Sequence, residues 1–239
     1  MIRVSEPDER PLTAAPSQAT HAYETIRRAI VSGVHIPGKK LKILDLSAEL
    51  SVSPNAVREA LSRLVPEQLV VAREQRGFAV APLSTADLDD LTELRCDIEA
   101  IALRKSVELG GIEWEAGLLA AAHRLSATRM LLPVGALAVN PEWIRAHASF
   151  HTALVAACGS KRLLVLHAQL YEQSERYRGL SAHADSTRKV HDEHREIVEL
   201  ALARDTDGLI AATLEHMRTT TRLIITAARA DALATTAAA

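Results

Sequence analysis

His147 and His151 stand four residues apart, one turn of a helix, so both imidazoles project from the same face. His194 and His216 follow on two later helical stretches, spaced so that an antiparallel hairpin can bring them level. Four imidazoles converging inside a helical bundle would suit a borderline divalent ion such as Zn²⁺ or Ni²⁺. The alternative is ordinary: a chain with ten histidines produces such an i, i+4 pair without any metal. A second group of residues suits nucleic acid. Asn55, Arg58, Glu59 and Ser62 share the outward face of a short helix opened by Ser53. Arg58 can pair bidentately with guanine, and Asn55 can read adenine or bind phosphate. Arg73 and Arg76 flank a hairpin tip where Gly77 lets the backbone approach a groove closely. Tyr23, Arg27, Lys39, Lys40 and Lys42 are candidate phosphate contacts, with a solvated surface as the competing reading for each taken singly.

The elements that must position these groups are mostly helical. The chain has 239 residues, 48% hydrophobic but only 3% aromatic, so alanine and leucine build the core, which favours packed helices over sheets. Residues 20–83 carry nine basic and six acidic side chains, whereas residues 84–239 carry seventeen and twenty-one. A basic first third ahead of an acidic remainder fits a phosphate-binding module on a larger body. Cys96 and Cys158 lack CxxC spacing and read as reduced core thiols of a cytoplasmic protein. The N-terminus has no signal-like apolar stretch, and no apolar run is long enough to span a bilayer.

Residues 1–18 mix charge with prolines and read as a flexible arm. Ala22, Ile26, Ala29 and Ile30 predict a helix over 19–32, stopped at Gly33. A second short helix is expected from an N-cap at Asp45, and a third from Ser53-Pro54. Leu69–Arg73 and Phe78–Ala81 read as strands joined by a hairpin tip at Glu74–Gly77. Beyond Pro82 six helices are predicted, over 85–109, 112–130, 140–158, 160–179, 185–204 and 206–230. The fold class is therefore mainly α. A winged helix-turn-helix with a small β-hairpin spans 19–82, an all-α bundle of about six helices spans 83–230, and a disordered tail spans 231–239.

The stretch from Ile30 to Val80 resembles the DNA-binding domain of the GntR family. Gly33, Pro37-Gly38, Leu41, Leu46, Val52-Ser53, the run Val57-Arg58-Glu59-Ala60-Leu61, Leu64, Leu69-Val70 and Arg76-Gly77-Phe78 all fall in register. Two positions depart: Pro54 stands where the family usually has a DNA-contacting arginine, and Ala56 where it commonly has proline. The helix-only remainder is similar to the FadR-type branch through Leu94-Arg95, Ile98-Glu99, Phe150-His151, Leu154, Glu193 through Ile197 and His216-Met217.

That resemblance implies a homodimeric, ligand-responsive transcription regulator, read as a repressor, on a palindromic operator. It implies a metal held by an Asp-x-x-x-His pair and two later histidines. Here His151, His194 and His216 match, and His147 replaces the aspartate, which favours Zn²⁺ or Ni²⁺ over Mg²⁺ or Mn²⁺. It further implies a small carboxylate effector, with Arg95 as first candidate partner and Arg145, Arg176 and Arg178 behind it. His123, His167, His183 and His191 are not expected to be ligands. The alternatives are a metal-free regulator or a metal-dependent bundle enzyme. An enzyme is disfavoured because no inward Glu-x-x-His pair occurs, His191 standing where a carboxylate would be needed before His194.

Overall fold

The computed structural model describes residues 17–73, 77–131, 139–181 and 188–237, with side chains described except at 178–181 and 228–237. The first unit begins with α1 (Gln18–Val31), capped by the Ser17 hydroxyl accepting from the Thr20 amide at 3.1 Å. Strand β1 (Lys40–Leu41), α2 (Ile43–Leu50) and α3 (Pro54–Leu64) follow, then β2 (Val70–Arg73) and β3 (Gly77–Val80). The three strands form an antiparallel sheet in the order β1-β3-β2, with Lys40 opposite Ala79 and Val70 opposite Val80. Helix α3 starts where the Ser53 side chain accepts from the Ala56 amide, with Pro54 at the first position, where its missing N–H costs nothing. Val57, Ala60, Leu61 and Leu64 then seal its inner face against Ala22, Ile26 and Ile30 of α1 and Leu46 of α2.

The second unit is helical among the described residues: α4 (Thr85–Leu109), α5 (Ile112–Ala127), α6 (Pro141–Val155), α7 (Lys161–Ser181), α8 (Val190–Leu202) and α9 (Thr206–Ala237). Its core gathers Leu103, Trp114, Leu118, Phe150, Leu154, Ile197 and Leu209 from five of these helices. Leu88 and Leu91 of α4, Leu170 and Tyr177 of α7 and Ile224 of α9 form a smaller cluster toward the first unit. Helices α4 and α9 run antiparallel: Thr92 meets Thr221 at 2.7 Å, Glu93 meets Arg218, and Arg104 meets Asp207.

Several boundaries differ from those expected. Strand β1 has only two residues, too few for an alternation pattern to reveal. Helix α2 starts earlier, with Lys42 at the cap position, and Asp45 lies inside the first turn, where its carboxylate favours the positive end of the helix dipole. Helix α7 runs through Gly179 to Ser181, since a glycine inside a long packed helix weakens it without ending it. Helix α8 begins at Val190, and α9 continues past residue 230 to Ala237 through an alanine-rich run of high helix propensity. The arm expected over 1–18 is shorter, since Ser17 caps α1 and Gln18 begins it; its residues 1–16, the Glu74–Arg76 tip, residues 132–138 with Pro133, residues 182–187 with His183, and residues 238–239 lie outside the described residues. Among the described residues, no helix is long and apolar enough to cross a membrane.

Candidate metal centre and nucleic-acid interface

Helix α6 buries Trp143, His147, Phe150, His151 and Leu154 along one stripe, so the two histidines enter the bundle with the core rather than solvent. Helices α8 and α9 bring His194 and His216 to the same place. All four are buried, and one ligand nitrogen from each lies within 4.8 Å of every other. The Nε2 atoms of His147 and His151 are 3.2 Å apart. Two nitrogens bound to one ion at about 2.0–2.1 Å stand about 3.3–3.4 Å apart in a tetrahedron, so this edge has the length a coordination polyhedron requires.

The groups behind the imidazoles orient them. Tyr171 Oη lies 2.7 Å from His147 Nδ1, and Glu193 Oε2 lies 2.7 Å from His216 Nδ1, which leaves each Nε2 turned inward. Trp143 stacks on His147 with ring centroids 4.7 Å apart. Burial alone would raise the Glu193 carboxyl, but hydrogen bonds from His216 and from Arg188 outweigh it and hold it down at about 2. Arg188 donates to both Glu193 oxygens at 2.8 and 2.7 Å, to Thr220 at 2.9 Å and to the His216 carbonyl at 3.0 Å. The four histidines and this shell fit a divalent ion bound by nitrogen.

Arg95, the first effector candidate, reaches the same centre. It lines a cavity of about 20 Å³ with His151, Ser174, His216 and Thr221, and its guanidinium sits 5.5 Å from the Tyr171 ring centroid. Arg145 does not: it is exposed on the opposite side of α6, because a residue two positions from His147 turns roughly to the other face. Arg176 also points elsewhere, donating to the carbonyls of Gln68 at 3.0 Å and Ala81 at 2.6 Å. The Arg178 side chain lies outside the described residues. Arg188 and Tyr171 were absent from the sequence-derived set, since neither falls on a recognisable spacing. His167 pairs with Glu99 at 2.9 Å, both buried, and stays outside the metal group. His123 and His191 stay outside it too.

In the first unit, Ser53, Asn55, Arg58, Glu59 and Ser62 are exposed along α3, and Lys39, Lys40, Lys42, Arg73 and Gly77 are exposed around the small sheet. Gly77 has φ +80°, a conformation that favours glycine, and Arg76 lies outside the described residues. Two expected phosphate contacts are otherwise engaged. Tyr23 donates to Glu67 at 2.5 Å beneath the Arg63 guanidinium, and Arg27 grips Glu67 at 2.9 Å together with Glu172 of α7. Opposite charge draws Arg27 toward Glu172 of the second unit, whereas Tyr23 is engaged by Glu67 within the first.

A winged helix-turn-helix with its third helix open to solvent, joined to a helical bundle around four histidines, defines a DNA-binding regulator with a separate regulatory domain. Residues 18–80 match the model of the bacterial regulatory proteins of the gntR family, and residues 90–219 match that of the FCD domain. The chain belongs to the GntR family and is a transcription regulator, not an enzyme. It is 37% identical over 215 residues to the uncharacterized HTH-type transcriptional regulator BphR of Paraburkholderia xenovorans (strain LB400), covering 90% of this chain and 88% of the relative. It is 33% identical over 202 residues to the HTH-type transcriptional repressor GlaR of Escherichia coli (strain K12), covering 82% and 91%. Among solved structures, E. coli McbR/YncC shares the fold with a TM-score of 0.73 at 20% identity, covering 88% of this chain and 98% of that one.

Proposed function

We propose that the protein is a ligand-responsive repressor that binds a palindromic operator as a homodimer in the cytoplasm, with residues 19–82 reading DNA and residues 83–230 sensing and dimerising. The observation that carries the DNA reading is the division of α3, whose one face is fully packed while Asn55, Arg58, Glu59 and Ser62 stay exposed on the other. That helix can lie in the major groove with Arg58 at base edges, while Lys40, Arg73 and the Gly77 turn meet phosphates. The relative named GlaR, described as a repressor, supports the sign of regulation.

In the sensing domain, His147, His151, His194 and His216 would hold a divalent ion, with Zn²⁺ or Ni²⁺ favoured by an all-imidazole donor set. When bound, the ion supplies a Lewis-acidic position for a carboxylate effector. Arg95 supplies the charge and Thr221 and Ser174 the polar wall of the adjoining cavity. A cavity of about 20 Å³ has room for a single water, so an effector enters only as the walls move apart.

The test is selection of genomic fragments by the full-length protein without a histidine tag, followed by footprinting. Two symmetric half-sites about one helical turn apart support the reading, as does loss of binding with a carboxylate in a screen. Binding that is uniform over all fragments and falls only with salt would sink the operator reading.

A further inference from the structure

We infer that helix α7 couples the sensing pocket to the DNA-reading head through a clasp made by Glu172, Gln173 and Arg176; the inference rests on the ligand-responsive reading above. One face of α7 belongs to the pocket. Tyr171 holds Nδ1 of His147 at 2.7 Å, and Ser174, one turn on, forms part of the cavity wall beside Arg95 and His151. The neighbouring face belongs to the head. Glu172 takes both terminal nitrogens of Arg27 on α1, and Arg27 also holds Glu67 in the turn that follows α3. Gln173 donates to the Glu67 carbonyl at 3.3 Å. Arg176 donates to Gln68, in the turn from α3 to β2, and to Ala81, where the chain leaves β3.

Six consecutive residues of one helix, fewer than two turns, thus touch the back of a histidine ligand, the wall of the cavity, the turn that follows the recognition helix and the root of the wing. A helix transmits displacement along and about its axis nearly as a rigid body, whereas each of these contacts is a discrete hydrogen bond that either persists or breaks. Because the cavity holds only about 20 Å³, a ligand larger than a water must move a wall, and the wall carrying Ser174 is α7. A shift of α7 then moves α3 and the wing root together. In a dimer that shift changes the separation of two recognition helices, the quantity to which half-site binding is sensitive.

Hydrogen exchange of backbone amides in the full chain tests this, comparing metal-stripped protein with protein saturated with Zn²⁺. In the wild type, Zn²⁺ is expected to change exchange in α6, α8 and α9 and also across residues 64–73. In Glu172→Gln combined with Arg176→Met, the change in α6, α8 and α9 persists and that at 64–73 disappears. The difference in operator affinity between the two metal states falls correspondingly from about five-fold or more toward none. Tyr171→Phe, measured without metal, is a second arm: with the clasp intact it alters exchange at 64–73. No response at 64–73 in the wild type, or an undiminished one in the clasp variant, overturns the coupling. Failure of the wild type to bind Zn²⁺ by calorimetry instead defeats the metal reading, and the Tyr171→Phe arm then decides the coupling alone.

Discussion

His147 and His151 face each other with their Nε2 atoms 3.2 Å apart in a fully buried part of the bundle. Two imidazole nitrogens that close need a proton or a cation between them, because facing lone pairs repel. A shared ion would meet that need within reach of His194 and His216 as well.

Metal binding should therefore stabilise the fold by mass action. Zn²⁺ at a hundred times its dissociation constant adds about 2.7 kcal/mol, or about 5–10 °C in Tm for a chain of this size. Calorimetry of tag-free protein before and after chelation measures the shift. His151→Ala and His216→Ala should abolish it, and equal sub-stoichiometric metal in all three proteins would exclude the site.

The residue at position 147 would set the preference among metals at the proposed site. His147→Asp restores a carboxylate at that position and should move selectivity from Zn²⁺ or Ni²⁺ toward Mn²⁺, because a hard oxygen donor suits the harder ion. Competition between metals, read by elemental analysis, tests the direction of the change.

Glu193 would act behind a bound metal rather than on it, because it meets His216 on the ring nitrogen turned away from the other histidines. Glu193→Gln keeps an acceptor for His216 but loses the charge that makes the imidazole a stronger donor and holds Arg188. The expected result is a metal affinity about 10–100-fold weaker with the fold intact, read by competition with a chromophoric chelator.

On the DNA side, Arg58→Ala should cost about 1–3 kcal/mol at one base position and relax specificity there. Binding to a set of single-base operator variants separates that outcome from a uniform loss, which would mark Arg58 as a phosphate contact.

Gly110 tests packing. A methyl group there would meet the Trp114 ring at 2.5 Å and the Ser106 carbonyl at 2.6 Å. Trp114 is itself tied through its indole N–H to the Ala153 carbonyl at 2.9 Å, so it cannot yield freely. Gly110→Ala should destabilise by about 1–3 kcal/mol in denaturant unfolding.

Residue types and periods alone determined most of the architecture. Ser53-Pro54 marks the start of α3 because capping is a local interaction, and the apolar stripe at Val57, Ala60, Leu61 and Leu64 assigns its buried face without reference to any partner. The four histidines were legible too, two through a one-turn spacing and two through family register. Tertiary structure decided what local pattern cannot encode. Strand β1 exists only because β3 lies beside it. Arg27 and Tyr23 look like phosphate contacts in the sequence, and Glu172, 145 positions away from Arg27, draws Arg27 into a clasp instead. Arg145 and Arg188 have the same side chain, yet only Arg188 meets the histidine centre, because the packing of α8 on α9 brings it there. Charge and periodicity are properties of a segment, whereas partnership between distant side chains belongs to the folded chain.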